Sequence, residues 1–255
     1  MLRSRITPCL LVHKKGLVKT VSFKDPKYVG DPINAVKIFN EKEVDELLVL
    51  DIDAGVEGRE PDFQLIKNLA VECRMPFCYG GGVKTVEQAK KIIGLGAEKV
   101  AISSAALENP QILKEIGDAV GIQSVVVILD IKKKKLFGGY EIVYANGKKT
   151  SNKKLIDFVK ELQQIGIGEL AINAVDEDGK MQGFDFKLFD SIRKETDMPM
   201  TILGGAGSLE HIEEAISRYK TIGVSAGSLF VFKGKYKAVL INYPDYETRK
   251  KMYKI

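Results

Sequence analysis

Met75-Pro76-Phe77-Cys78-Tyr79-Gly80-Gly81-Gly82-Val83-Lys84-Thr85 is matched, 123 positions on, by Met198-Pro199-Met200-Thr201-Ile202-Leu203-Gly204-Gly205-Ala206-Gly207-Ser208. Each copy is a short apolar run that ends in consecutive glycines, the pattern of a buried strand opening into a turn where the backbone must pass close to something else. The likeness extends outward. Glu46-Leu47-Leu48 answers Glu169-Leu170-Ala171 at the same offset, and Val100-Ala101-Ile102-Ser103-Ser104-Ala105 answers Val224-Ser225-Ala226-Gly227-Ser228-Leu229 after a one-residue insertion. The chain reads as two equivalent halves, about 1–122 and 123–255, that carry the same supersecondary units.

Around these stretches, short β-branched runs alternate with longer amphipathic segments. Strands are expected at Ile6–Val12, Glu46–Leu50, Pro76–Tyr79, Lys99–Ile102, Ser124–Asp130, Glu169–Asn173, Pro199–Leu203 and Thr221–Val224. Helical spacing of apolar residues marks Pro32–Glu43, Phe63–Cys73, Thr85–Leu95, Asn109–Ala119, Asn152–Ile165, Phe186–Thr196 and Ser208–Arg218. Ser124 to Leu129 is almost wholly apolar, as a strand buried on both faces of a parallel sheet must be. Eight strands in this rhythm over 255 residues predict an α/β fold, a single-domain (β/α)8 TIM barrel built from two half-barrels. A doubly wound open sheet would carry Gly-x-Gly-x-x-Gly after its first strand, and none is present. Lys135 to Ser151 breaks the rhythm. There Tyr140-Glu141-Ile142-Val143-Tyr144 precedes Asn146-Gly147, which predicts a two-stranded β-hairpin flap after the fifth strand, over the catalytic face of a barrel.

Composition narrows the function classes. A content of 45% hydrophobic and 29% charged residues excludes general disorder. No run approaches the roughly 18 apolar residues of a membrane helix. Met1-Leu2-Arg3-Ser4-Arg5 leads into a short apolar stretch without a small-residue cleavage site, so a cytoplasmic protein is expected. Cys9, Cys73 and Cys78 cannot all pair and form no Cys-x-x-Cys clamp; reduced thiols are expected, Cys9 as a small core residue. The net charge of +5 comes from 39 basic and 34 acidic residues interleaved along the chain. That suits a phosphorylated small molecule better than nucleic acid or a membrane. Lys132 to Lys135 lacks interleaved aromatics and reads as a solvated loop. His13 and His211 are expected on the surface, which leaves no Ser/His/Asp or Cys/His nucleophile. Asp51-x-Asp53-x-Gly55 opens like a calcium loop but lacks the later ligands and the closing glutamate, so neither metal nor cofactor is expected.

Two sets of residues could carry chemistry. Glycines directly after the third and seventh strands let backbone N–H groups approach an anion, and hydroxyls after the fourth and eighth add donors. Gly82 with Ser103 and Ser104 would form one phosphate site, and Gly205 with Gly227 and Ser228 another, for a ligand phosphorylated at both ends. The same glycines could simply make tight turns. Carboxylates supply the second set: Asp51 and Asp53 after the second strand, Asp130 at the end of the fifth, Asp176 and Asp178 after the sixth. Each is a general acid/base candidate or a turn cap.

With these residues in view, Arg5-Ile6-Thr7-Pro8-Cys9-Leu10, Gly16-Leu17-Val18-Lys19, Gly30-Asp31-Pro32, Leu50-Asp51-Ile52, Gly80-Gly81-Gly82, Asp176-Glu177-Asp178-Gly179 and Gly204-Gly205-Ala206-Gly207 resemble the cyclase subunit of imidazole glycerol phosphate synthase, the HisF family, from Met1 to about Phe232. The resemblance implies a glutaminase partner at the N-terminal barrel face and ammonia passing through the barrel. At the opposite face the ammonia meets a linear bis-phosphorylated ribonucleotide intermediate. It implies ligand-binding roles for Lys19, Gly82, Gly205 and Asp178, with Ser103-Ser104 similar to the family's Asn-Thr pair. It also implies an ammonia gate of Arg5, Glu46, Lys99 and Glu169, although four charges at strand starts can also be ordinary ion pairs. The family's two catalytic aspartates map to Asp130 and to position 11, which here is Leu11. Leucine cannot move a proton, and losing an acid/base group costs roughly 10² to 10⁴ in rate.

The Pro8-Cys9-Leu10-Leu11 pattern, with Tyr28 to Ala35 and Phe39 to Glu46, is similar to a branch associated with acetamidino modification of bacterial surface-polysaccharide sugars. That branch implies a barrel that takes ammonia from a glutaminase and supplies an ATP-dependent sugar amidotransferase. Two alternatives stay open. One is an authentic cyclase of histidine biosynthesis in which another carboxylate such as Asp51 covers for Leu11; the other is a non-enzymatic channel or scaffold that activates the glutaminase.

Overall fold

The computed structural model describes residues 3–135 and 138–253. The leader reading at Met1 and Leu2 and the flap residues Leu136 and Phe137 lie outside them. In chain order the elements are β1 (Arg5–His13), β2 (Gly16–Val21), β3 (Lys24–Gly30), α1 (Pro32–Glu41), β4 (Leu47–Asp51), α2 (Phe63–Glu72), β5 (Phe77–Gly80) and α3 (Val86–Gly94). Then come β6 (Lys99–Ile102), α4 (Ser104–Glu108), α5 (Gln111–Val120), β7 (Val125–Lys133), β8 (Tyr140–Tyr144), β9 (Lys149–Thr150), α6 (Leu155–Ile165), β10 (Glu169–Ala174) and α7 (Phe186–Arg193). The last are β11 (Met200–Leu203), α8 (Leu209–Tyr219), β12 (Gly223–Ala226), α9 (Ser228–Val231), β13 (Phe232–Lys233), β14 (Ala238–Val239) and α10 (Tyr246–Tyr253).

Strands β1, β4, β5, β6, β7, β10, β11 and β12 pair in parallel in that cyclic order. The ring closes through Arg5 opposite Gly223. This is a (β/α)8 barrel. Its strands are apolar on both faces because each is buried twice. Outward side chains such as Ile6, Leu47, Phe77, Val127 and Ile172 pack under the helices, while Cys9, Leu48, Cys78, Ala101, Val126, Ile128, Ala171 and Leu203 fill the interior. Fully burying each large outward residue contributes about 1.5–3 kcal/mol.

Local chemistry sets the helix starts. Asp31 caps α1 ahead of Pro32, Asp62 caps α2, Thr85 and Gln88 form a capping box on α3, and Asp185 caps α7. The repeat has a geometric counterpart: a Cβ on Gly81 would lie 2.5 Å from the Asp51 carbonyl oxygen, and one on Gly204 would lie 2.5 Å from that of Ala174. Both glycines have positive φ, so the close approach and the turn each exclude a side chain.

Several expectations need correction. The eighth strand begins at Gly223 and not Thr221, because Gly223 is the first residue opposite Arg5 and Thr201. Lys132 and Lys133 belong to β7, which runs past the barrel rim to pair with β8; only Lys134 and Lys135 leave the strand. The flap is present, but its turn spans Ala145 to Lys148, with Ala145, Asn146 and Gly147 all left-handed. A second antiparallel hairpin, β2–β3, extends from the end of β1 and went unpredicted.

Candidate functional site

The strand C-termini open into a cavity of about 370 Å³. Its floor and walls come from successive strand ends: Leu11, Asp51, Gly80 to Gly82, Ser103, Ser104, Asp130, Asn173, Leu203, Gly227 and Ser228. The two hairpins arch over it. The β2–β3 hairpin contributes Lys19, Thr20 and Phe23, and the β8–β9 flap contributes Tyr144, Ala145, Asn146, Lys148 and Lys149. Asn146 Nδ2 donates to the Ile52 carbonyl at 2.8 Å and fastens the flap across the mouth.

Asp130 ends the barrel part of β7 and receives a hydrogen bond from Asn173 Nδ2 at 2.9 Å. Burial pushes its carboxyl up to about 7; the Asn173 donor opposes that rise and nearby Asp178 adds to it. Burial also raises Asp178 to about 6, against the pull of Lys19. Lys19, only 5% exposed, donates from Nζ to the Cys9 carbonyl, and burial lowers its affinity for a proton. Two carboxyls that titrate near neutrality, beside a buried amine, form a group able to hold or move a proton.

The other predicted carboxylates differ in use. Asp51 lines the cavity, but Oδ1 accepts the amides of Asp53 and Ala54 at 2.9 and 3.0 Å, and Arg59 stands 3.7 Å from Oδ2. Asp53 turns away, taking His13 Nδ1 at 2.7 Å and the Lys14 amide at 2.8 Å. Burial works against its ionised form, yet the Lys14 amide and His13 prevail and hold it below the usual carboxylate range. Asp176 caps the Lys133 amide at 2.7 Å. The histidines are not free surface groups as expected. Both are half-buried, and His211 Nδ1 accepts the Gly207 amide at 3.1 Å, because each closes a turn next to a strand end.

Gly82, Ser103 and Ser104 meet on one side of the cavity, and Gly227 and Ser228 line it too, near the Lys19 ammonium, which would lie 2.8 Å from a Cβ on Gly227. Gly205 is not among the residues that line the cavity. The Gly183 carbonyl occupies the place of its missing side chain, and the Gly183 amide donates to its carbonyl at 2.8 Å. Sequence reasoning missed Lys84, Lys148, Lys149 and Asn173 as cavity residues. Asn173 was findable, since it stands one residue before the end of its strand, directly opposite Asp130 in the β7–β10 register; the flap lysines required the direction in which the hairpin folds.

At the opposite end, Arg5, Glu46, Lys99 and Glu169 form one closed ring. Arg5 Nε donates to Glu46 Oε2 at 2.6 Å and its Nη2 to Glu169, while Lys99 Nζ donates to Glu46 Oε1 at 2.7 Å and Glu169 Oε2 at 3.0 Å. Each carboxylate oxygen holds one cation. Burial opposes ionisation of Glu169, but Arg5 and Lys99 outweigh it and keep the carboxyl below its ordinary range. Among the described residues, no group of three or more His, Cys, Asp and Glu could hold a metal ion, and no helix is long and apolar enough to cross a membrane.

A family model described as "Histidine biosynthesis protein" matches residues 5–237. A Vibrio vulnificus (strain YJ016) protein provisionally named imidazole glycerol phosphate synthase subunit hisF3 is 54% identical over 252 residues, 98% of this chain and 96% of its own. The imidazole glycerol phosphate synthase subunit HisF of Streptococcus sanguinis (strain SK36) is 38% identical over 230 residues, 90% of this chain and 91% of its own. With the barrel, the ring at one end and the carboxyl-lined cavity at the other, these matches place the chain in the histidine-biosynthesis family that includes the HisF subunits of imidazole glycerol phosphate synthase, and the chain belongs to that family.

Proposed function

We propose that this barrel takes ammonia from a glutaminase docked at its N-terminal face and delivers it for acetamidino-group formation on a surface-polysaccharide sugar. The work is done with an ATP-dependent sugar amidotransferase in the cytoplasm. The observation that carries the reading is the pairing of a complete charge ring at the entrance with Leu11 at the exit. The ring supplies an entrance of balanced charge, and the interior beyond it is lined by small and apolar side chains that admit neutral ammonia far more readily than ammonium. At the exit Asp130 stands without a carboxylate at position 11. Ligand phosphate is held at Gly82, Ser103 and Ser104, with Lys19, Gly227 and Ser228 facing the other end of the ligand and Lys148 and Lys149 closing over it; Gly205 supports that end from behind Gly183.

A second reading, an authentic cyclase of histidine biosynthesis, is favoured by Asp178. It is close enough to Asp130 to raise its pKa, and with its own value near 6 it could serve as the second acid/base group. Asp51 suits that role less well, because both of its oxygens already hold backbone amides or Arg59.

One experiment separates the readings. The purified chain is given the linear bis-phosphorylated intermediate with an ammonium salt at alkaline pH, beside Leu11→Asp. The proposal expects no turnover by the natural chain and turnover by the variant; turnover by the natural chain at an ordinary cyclase rate overturns it in favour of the histidine reading.

A further inference from the structure

Among the described residues, the buried side-chain oxygens that bond no protein atom include Thr7 Oγ1 and Asn173 Oδ1. Asn173 lines the mouth cavity. Thr7 is different. It is 4% exposed and lies two residues beyond Arg5 on β1, so strand alternation turns its side chain inward with those of Arg5 and Cys9. An orphan hydroxyl inside a barrel is unfavourable unless something small bonds to it.

The space beside it fits such a guest. Directly inside the charge ring lies a chamber of about 20 Å³, with Thr7, Thr201, Glu46 and Glu169 on its polar side and Leu48 and Val126 on its apolar side. Space of that size admits a molecule with one heavy atom. The other polar groups are committed: Glu46 to Arg5 and Lys99, Glu169 to Arg5, Lys99 and Thr201. Among the described residues that line it, the Thr7 hydroxyl has no partner, next to the weakly polar Cys78 thiol, and it can donate to a nitrogen lone pair or accept an N–H. The two cations and two anions of the ring balance, and the apolar wall makes a buried ammonium costly.

We propose that this chamber is a station for a neutral, ammonia-sized molecule immediately inside the ring, with Thr7 as its dedicated positioning residue. The assignment rests on the reading that ammonia enters through the ring. The station makes the entrance selective by size and charge: ammonia passes, whereas ammonium and methylamine are turned back.

Two measurements test it. In an atomic-resolution crystal structure of the full chain, with water as the probe, one ordered water should bond Thr7 Oγ1 and be lost in the nearly isosteric Thr7→Val. A chamber with no guest in the natural protein, or the same guest in both, overturns the station. In the complex with its glutaminase, amide-15N-labelled glutamine and unlabelled ammonium chloride are then supplied together, and the 15N fraction of the aminated product is read by mass spectrometry. Thr7→Val should lower the 15N-to-14N ratio roughly threefold to tenfold, the net worth of one hydrogen bond; an unchanged ratio overturns the proposal. A natural protein whose product carries only 14N sinks the entrance reading itself, while a guest lost in Thr7→Val would still leave the chamber assigned as a small-molecule site.

Discussion

Asn173 Nδ2 donates to Asp130 Oδ1 at 2.9 Å, between residues that stand directly opposite each other where β7 and β10 reach the mouth. The bond commits one oxygen of Asp130 and leaves the other to the cavity. It also tempers the rise that burial imposes on this carboxyl, which ends at about 7. A carboxyl raised in this way is protonated in the folded state at pH values where the unfolded chain has released the proton.

The sign of the consequence is definite. Between about pH 4 and about pH 7 the folded state binds more protons than the unfolded one, so stability falls as pH rises through that window. Asp130→Asn removes the titration and keeps an acceptor for Asn173. At about 1.4 kcal/mol per pKa unit, discounted for solvent reaching the mouth, the variant should be about 2 kcal/mol more stable than the natural protein at about pH 8. The difference should shrink toward about pH 4. Urea denaturation across this range measures it, and a variant no more stable at alkaline pH would show that the carboxyl titrates normally.

The ring predicts the opposite slope. Lys99→Met keeps the aliphatic stem but leaves Glu46 and Glu169 each short of a cation. Breaking a buried pair costs about 3–5 kcal/mol, reduced to about 2 here because Lys99 keeps some contact with solvent. The Glu169 carboxyl is held below its ordinary range, so the stability it contributes is present above that range and is lost as pH falls through the lowered value. The gap between variant and natural protein should therefore be widest near neutrality and close under acid. If ammonia passes the ring, glutamine-fed amination should also fall in Lys99→Met and in Glu169→Ala while ammonium-fed amination holds. Equal loss with both nitrogen sources would leave the ring as four ion pairs.

What could be read from the sequence follows from how each part is encoded. The eight strands begin within about two residues of their expected places, because double burial writes them as unbroken apolar runs. Strand-end polar groups such as Asp130 and Ser103 were legible for the same reason: each interrupts such a run where it leaves the core. The β2–β3 hairpin was not, since Lys24 to Tyr28 is exposed and carries no apolar stripe. The approach of Gly183 to Gly205 was not legible either, because the loop that brings it there leaves no signal at Gly205 itself. The eighth outer helix, α10, also escaped detection. Tyr246 to Tyr253 is almost entirely polar and buries Arg249 and Met252 in place of an apolar face.

That last helix is held by hydroxyls, and this can be tested. Tyr243, just ahead of α10, donates from its hydroxyl to the Ile6 carbonyl at 2.8 Å and accepts the Asp45 amide at 3.3 Å. Asp45 in turn accepts the Ile6 amide at 3.0 Å and the Tyr253 hydroxyl. The β1–β4 ladder begins only at Cys9 and Leu48, so these bonds stand in for missing rungs at the end of the seam where Arg5 and Glu46 sit. Tyr243→Phe keeps the ring against Phe230, 5.2 Å between centroids, and removes only the hydroxyl. With the Ile6 carbonyl and Asp45 amide left unpaired, the expected loss is about 1–3 kcal/mol. Hydrogen exchange of the Ile6 and Asp45 amides should speed up more than that of Val49 or Ile172, deeper in the barrel. A uniform change across all four amides would mean that Tyr243 supports the fold as a whole and not this seam.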